Sequence, residues 1–247
     1  MELVLSLGMV GLATAVILNL GGVAARSTFS VSELQYVNIQ LKFQALLFVV
    51  ALLVLLVLLL INKENLSIFL APGEVTAATR GVSLLGIGEG TSWLVLGVLF
   101  LFVITLGTTV FVYLQFRTSG GSWKQLFRYL PWVLLFSLTN SFSEEVVYRL
   151  GVIVPLYGRI EPGYIMLISA IAFGAPHLRG MPNGLIGAIM AGFLGWLLAK
   201  SVIETHGIFW AWFIHFVQDV VIFSAFVMAA ANKALQPTTD RDAAPLG

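Results

Sequence analysis

The chain contains no cysteine, only three histidines, and charged side chains at just 10% of its 247 positions. Without cysteine there can be no disulfide, no thiolate metal site and no thiol nucleophile, so any catalysis falls to other side chains. Soluble domains carry about 25% charged residues. A chain with less than half that share, 59% hydrophobic residues and a mean hydropathy of +0.97 does not have water as its main solvent. Thirteen basic against twelve acidic residues leave a net charge of +1. That balance offers no basic footprint for nucleic acid and no acidic block. Internal repeats and a second domain are also missing from the pattern.

What is present is a series of long apolar runs. A bilayer core of roughly 30 Å takes about 20 mostly apolar residues in helical form. Runs of this kind extend from about Leu3 to Ala25, Ala45 to Ile61, Trp93 to Leu114, Tyr129 to Leu156, Gly163 to Ala175, Asn183 to Ala199 and Gly207 to Ala231. The expectation is an all-α, polytopic transmembrane bundle of about seven helices, six to eight by the placing of boundaries, forming one membrane domain over residues 1–231. The first run is read as a retained helix and not a signal peptide, because it starts with Glu2, has no basic residue before Arg26 and is long. Residues 62–91 mix charges with short apolar pieces and are expected on the membrane surface. Residues 232–247, with two prolines and alternating charges, read as a disordered tail.

Ionisable groups at membrane depth cost about 2.5 to 3.5 kcal/mol each on insertion scales, so those inside the runs call for a reason. They fall in three places, all in the second half of the chain: Ser143-Glu144-Glu145-Val146-Val147-Tyr148-Arg149, Phe173-Gly174-Ala175-Pro176-His177, and His215-Phe216-Val217-Gln218-Asp219. Glu145 and Arg149 are an i, i+4 pair in the acid-first order and can neutralise each other. Glu144 points about 100° away, where Val147 and Tyr148 offer it no partner, which leaves a carboxylate suited to act as a general base. His215 and Asp219 are also i, i+4, so the acid can hold one ring nitrogen and leave the other for substrate or metal. Pro176 is expected to distort the helix just before His177 and aim that ring inward. Structural roles suit the other features better. Glu145 with Arg149 reads as an ion pair, His206 as an interhelical contact, and Gly187, Ala188, Ala191, Gly192 and Gly195 as a close-packing face. Phe209, Trp210, Trp212 and Phe213 read as an interfacial belt or core.

In their order and spacing, Glu-Glu-x-x-x-Arg (Glu144, Glu145, Arg149), Phe-x-x-x-His (Phe173, His177) and His-x-x-x-Asx (His215, Asp219) resemble the CAAX-protease and bacteriocin-processing family, which includes the type II CAAX prenyl endopeptidases. The resemblance covers about residues 129–230. It implies an intramembrane endopeptidase whose active site lies within the bundle and whose substrate is a membrane-associated or lipidated peptide or protein. Glu144, helped by His177, would activate water, and the oxyanion would form near His215 and Asp219, with Glu145, Arg149 and Phe173 in support. The third motif ends here in Asp where the family also uses Asn, and an ionised Asp cannot donate to an oxyanion. Asp219 is therefore expected to orient His215, or to donate only when protonated. The expected mechanism needs no metal or other cofactor. The alternative is zinc on Glu144, His177 and His215. The implied partners are membrane lipid and the lipidated substrate, and the implied location is a membrane, the cell membrane in a bacterial host. Two other functions fit the same composition: a non-catalytic scaffold or immunity homologue of the family, and a proton-coupled transporter.

Overall fold

The computed structural model describes residues 1–26, 28–117, 122–179 and 184–235. Its elements are α1 (Glu2–Arg26), α2 (Gln35–Ile61), α3 (Lys63–Leu70), a 3-10 turn (Ser83–Leu85), α4 (Trp93–Phe116), α5 (Trp123–Glu145), a π-helical turn (Val146–Leu150), α6 (Gly151–Leu156), α7 (Pro162–Gly174), a second 3-10 turn (Ala175–Leu178), α8 (Gly184–Thr205) and α9 (Phe209–Leu235). No strand occurs among the described residues, only two isolated bridges in one loop, Ala78 with Ser92 and Val82 with Ile87. Helices α1, α2, α4, α8 and α9 are each long and apolar enough to cross a membrane. The continuous rod α5–π-turn–α6 and the shorter α7 account for the other two runs. The chain is an integral, multi-pass membrane protein with an all-α bundle.

Burial separates inner from outer helices. The most apolar stretch of α8 is 61% buried, whereas that of α4 is only 11% buried, so α4 is a peripheral helix whose Leu94, Val98 and Phe102 face outward, as lipid-facing side chains do. The expected small-residue face of α8 is where α7 lies against it: a Cβ on Gly195 would press on Phe173 and Ala170, and one on Gly174 on the backbone of Ala188. Small residues let backbones approach where no hydrophobic force distinguishes helix from lipid. The hydroxyl of Ser6 on α1 donates to the Gly151 carbonyl at 2.9 Å and joins the first helix to the rod.

The sixth run ends later than its charge pattern suggests. Lys200 looks like a terminus in sequence, yet α8 continues to Thr205 because Lys200 and Glu204, i, i+4 and both buried, form an ion pair inside the protein. Glu204 also accepts hydrogen bonds from Thr79 Oγ1 at 2.8 Å, Trp93 Nε1 at 2.8 Å and the Arg80 amide at 3.2 Å. The loop after α3 is thereby tied to the α8–α9 corner. The tie needs Gly73, at φ +77°, whose backbone lies so close to that of Gly207 that no side chain fits at either residue. Glu74 N donates to Thr205 O at 2.7 Å and Ile208 N to Ala71 O at 2.9 Å across this contact. His206, in the left-handed region at φ 51°, sits in the same corner with Nε2 3.0 Å from the Tyr157 hydroxyl. At the chain end, α9 runs to Leu235, past the start expected for the tail. Residues 236–247 of that tail, and Asn183 at the head of the sixth run, lie outside the described residues.

Candidate active site

The rod carrying the first motif begins with a capping box, in which Ser122 Oγ accepts from Gln125 N and Gln125 Oε1 from Ser122 N. Along α5 several hydroxyls are spent on the helix itself: Ser137 Oγ donates to Val133 O at 2.8 Å and Ser141 Oγ to Ser137 O at 2.6 Å. These residues lower the hydropathy of α5 without adding free polar groups. At Glu145 the regular helix gives way to the π turn Val146–Leu150, so the paired acids lie at the junction of two helical pitches. Such π turns recur at functional sites because they re-aim side chains without ending a helix.

Glu145 and Arg149 are both completely buried, with Oε2 3.0 Å from Nε. The guanidinium also lies over the ring of Phe173, its carbon 4.1 Å from the ring centroid, while Nε, Nη1 and Nη2 make no hydrogen bond among the described residues, so the contact with Glu145 is an ion pair without hydrogen-bond geometry. The charge of Arg149 is thus balanced by one carboxylate and one aromatic face. Phe173 in turn packs edge-on against Tyr148 and His215, at centroid separations of 5.4 and 5.7 Å, and tilts against His177 at 5.0 Å. One aromatic ring therefore touches members of all three motifs.

The imidazole of His215 is held differently from the sequence-based expectation. Its Nδ1 lies 2.7 Å from Glu145 Oε1, a direct hydrogen bond, whereas Asp219 Oδ1 is 3.8 Å from Nε2. The residue orienting the ring is Glu145 on the rod, not Asp219 one turn away on α9. A tertiary contact replaces the i, i+4 one because the buried Glu145, clamped from the other side by Arg149, presents its second oxygen to α9. With Nδ1–H donating to Glu145, the ring when neutral offers Nε2 as its free nitrogen. Two carboxylates face that nitrogen beyond hydrogen-bond range, Glu144 Oε2 at 3.6 Å and Asp219 Oδ1 at 3.8 Å. Glu144 has no guanidinium partner, and its side chain is 21% exposed where Glu145 is fully buried.

His177 lies in the 3-10 turn Ala175–Leu178, the distortion expected at Pro176, and its Nδ1 donates to the Phe173 carbonyl at 2.8 Å. This leaves its Nε2 free as well. Glu144, His177, His215 and Asp219 all line one cavity of about 680 Å³, whose other walls include Ile17, Phe43, Ile104, Met190, Phe193 and Phe226. The cavity is mainly apolar with a few convergent polar groups, the usual composition of a small-molecule or peptide site. Polar residues that sequence reasoning passed over extend the site away from His215: Asn140 Nδ2 donates to Asp219 Oδ2 at 3.1 Å, and Gln44 Nε2 to Asn140 Oδ1 at 3.0 Å. Asn140 precedes Glu144 by four residues and could have been found by that spacing. Gln44 lies on α2, and no local signal indicates it.

Among the described residues no group of three or more His, Asp or Glu side chains is arranged to hold a metal ion. Both histidines keep Nε2 free while a protein acceptor holds Nδ1, a state that serves either a water or a metal.

Residues 126–221 match the family model described as Type II CAAX prenyl endopeptidase Rce1-like. That stretch contains Glu144, Glu145, Arg149, Phe173, His177, His215 and Asp219. No curated protein and no solved structure matches the chain.

Proposed function

We propose, from the similarity of residues 126–221 to the type II CAAX prenyl endopeptidase Rce1-like family, a family of proteases, that this chain is an intramembrane endopeptidase. It hydrolyses a peptide bond of a membrane-associated or prenylated CAAX-type substrate with a water activated by Glu144. The observation that carries this reading is the Glu144 carboxylate, without a guanidinium partner and 3.6 Å from Nε2 of an imidazole whose other nitrogen is held by a buried acid. A pair of carboxylates on one helix thus takes two roles: Glu145, neutralised by Arg149, orients His215, and Glu144 remains to take a proton.

In the proposed cycle a water between Glu144 and His177 gives a proton to Glu144 as its oxygen adds to the scissile carbonyl. The carbonyl π electrons move to oxygen, and the resulting oxyanion lies on the side of His215 and Asp219. Glu144 then returns the proton to the leaving nitrogen, the C–N bond breaks, and the carboxylate is regenerated. His177 holds the attacking water through its free Nε2. The apolar walls suit a lipid-modified or hydrophobic segment, which reaches the cavity from within the bilayer. The working location is the cell membrane if the host is bacterial. No step requires zinc.

The test is cleavage of quenched fluorescent peptides, with and without a farnesyl group, by the purified protein in detergent, before and after chelation and beside Glu144→Gln. Turnover that survives chelation and is lost in the variant supports the metal-free glutamate mechanism. Turnover lost to chelation and restored by zinc would instead make His177 and His215 metal ligands. Absence of turnover by the wild-type protein with every peptide would favour a scaffold.

A further inference from the structure

Peptide-bond hydrolysis needs a hydrogen-bond donor at the oxyanion, and a neutral His215 whose Nδ1–H goes to Glu145 leaves no N–H in the third motif for that purpose. The motif's last residue is Asp219, and a carboxylate only accepts. The inference below rests on the peptidase reading and concerns the missing donor.

The polar side chains on the cavity wall, apart from the four motif residues, include Tyr36, Gln40, Thr108, Asn140 and Gln218. Gln218 Nε2 donates to Thr108 Oγ1 at 3.2 Å, but its Oε1 meets no donor among the described residues, so its amide is held at one end only. Asn140 differs from the others in being built into the site. It lies four residues before Glu144 on α5, so the two share a helix face. Its Oδ1 accepts from Gln44 Nε2 at 3.0 Å, and Gln44 is itself 2% exposed. One hydrogen of its Nδ2 goes to Asp219 Oδ2 at 3.1 Å. A carboxamide nitrogen carries two hydrogens, and the second meets no acceptor among the described residues although Asn140 lines the cavity.

We propose that Asn140 is the oxyanion donor of this enzyme, supplying from α5 the carboxamide that the third motif lacks when it ends in Asp219. Gln44 and Asp219 are its positioning residues. One holds the amide oxygen and the other one amide hydrogen, so the rotamer is set before substrate arrives and the remaining N–H is available to developing negative charge. Preorganised donors of this kind act at little reorganisation cost in a water-poor site. Asp219 then serves to aim Asn140, a different role from orienting His215.

The experiment compares steady-state cleavage of a farnesylated quenched peptide by wild type, Asn140→Ala, Asp219→Asn and the double variant Asn140→Ala/Asp219→Asn, with thermal midpoints in detergent for each. Loss of one oxyanion donor lowers kcat by about 10² to 10³, so Asn140→Ala should fall by that factor with KM little changed. In the Asp219→Asn background a carboxamide stands in the third motif, and removing Asn140 should cost less than about tenfold. Full activity in Asn140→Ala, or an equal loss in both backgrounds, would overturn the proposal. If Asn140→Ala does not purify folded, the exchange Asn140→Asp/Asp219→Asn keeps the hydrogen-bonded pair and one carboxamide. Activity within about tenfold of wild type supports the role, and loss by a factor of about 10² or more in a folded exchange variant overturns it. Wild-type turnover that Glu144→Gln does not reduce would sink the peptidase mechanism itself, an outcome separate from any effect at Asn140.

Discussion

Substituting Arg149 isolates the energetics of the buried cluster. Both Arg149 and Glu145 are fully buried, and breaking a buried pair by removing one partner costs about 3 to 5 kcal/mol, because the remaining charge is left uncompensated. Arg149→Met keeps most of the volume and the contact with Phe173 while removing the cation. The hydrogen bond from His215 Nδ1 to Glu145 survives and leaves the stranded carboxylate one donor, which places the loss at the low end of that range. The net destabilisation should be about 3 kcal/mol. Glu145→Gln/Arg149→Met removes both charges and leaves the glutamine oxygen to accept from His215, so the double variant should be more stable than the sum of the single effects by about 1 to 3 kcal/mol. The assay is denaturant unfolding in detergent followed by circular dichroism. If Arg149→Met stays within about 0.5 kcal/mol of wild type, the range of an uninvolved surface change, or if the two substitutions add independently, the account of this cluster is wrong.

Glu144→Gln should lower turnover by at least about 10²-fold, the size of a general-base contribution, with an unchanged unfolding midpoint, because Glu144 balances no buried cation; activity and circular dichroism on the same preparation check both parts. Glu145→Leu removes the acceptor that holds His215 Nδ1 and should reduce kcat by at least about tenfold while also destabilising the protein, and paired kinetic and unfolding measurements separate the two effects. Glu204→Ala strands the buried Lys200 ammonium and releases Thr79 and Trp93, so about 3 to 5 kcal/mol should be lost and amide exchange should rise over residues 74–92 before the rest of the bundle opens; unchanged exchange there would contradict the clasp. Gly97→Leu drives a side chain into the ring of Trp210, against which Gly97 packs directly, and should cost about 1 to 3 kcal/mol by overpacking, read from the thermal midpoint.

Composition and the spacing of a few groups carried much of this protein's description. Apolar runs of bilayer length determine helices whatever their neighbours are, because backbone amides in lipid have no other partner. The same physics makes Glu144, Glu145, Arg149, His177, His215 and Asp219 conspicuous, since charge inside such runs is costly. Helical spacing also paired Glu145 with Arg149 correctly, a contact made within one rod. It failed for His215 and Asp219, whose equal spacing on α9 loses to Glu145 arriving from α5. It ended α8 too early at Lys200, whose partner Glu204 is local but whose burial depends on the loop that closes over it. Local periodicity registers which side chains share a face of one helix. It carries no information on which acid of a neighbouring helix comes within 2.7 Å of an imidazole, or on the chain from Gln44 through Asn140 to Asp219 that crosses three helices. Those contacts depend on the relative rotation and depth of packed helices, set by Gly174, Gly192 and Gly195 at one interface and by the π turn at another, and only the assembled bundle decides them.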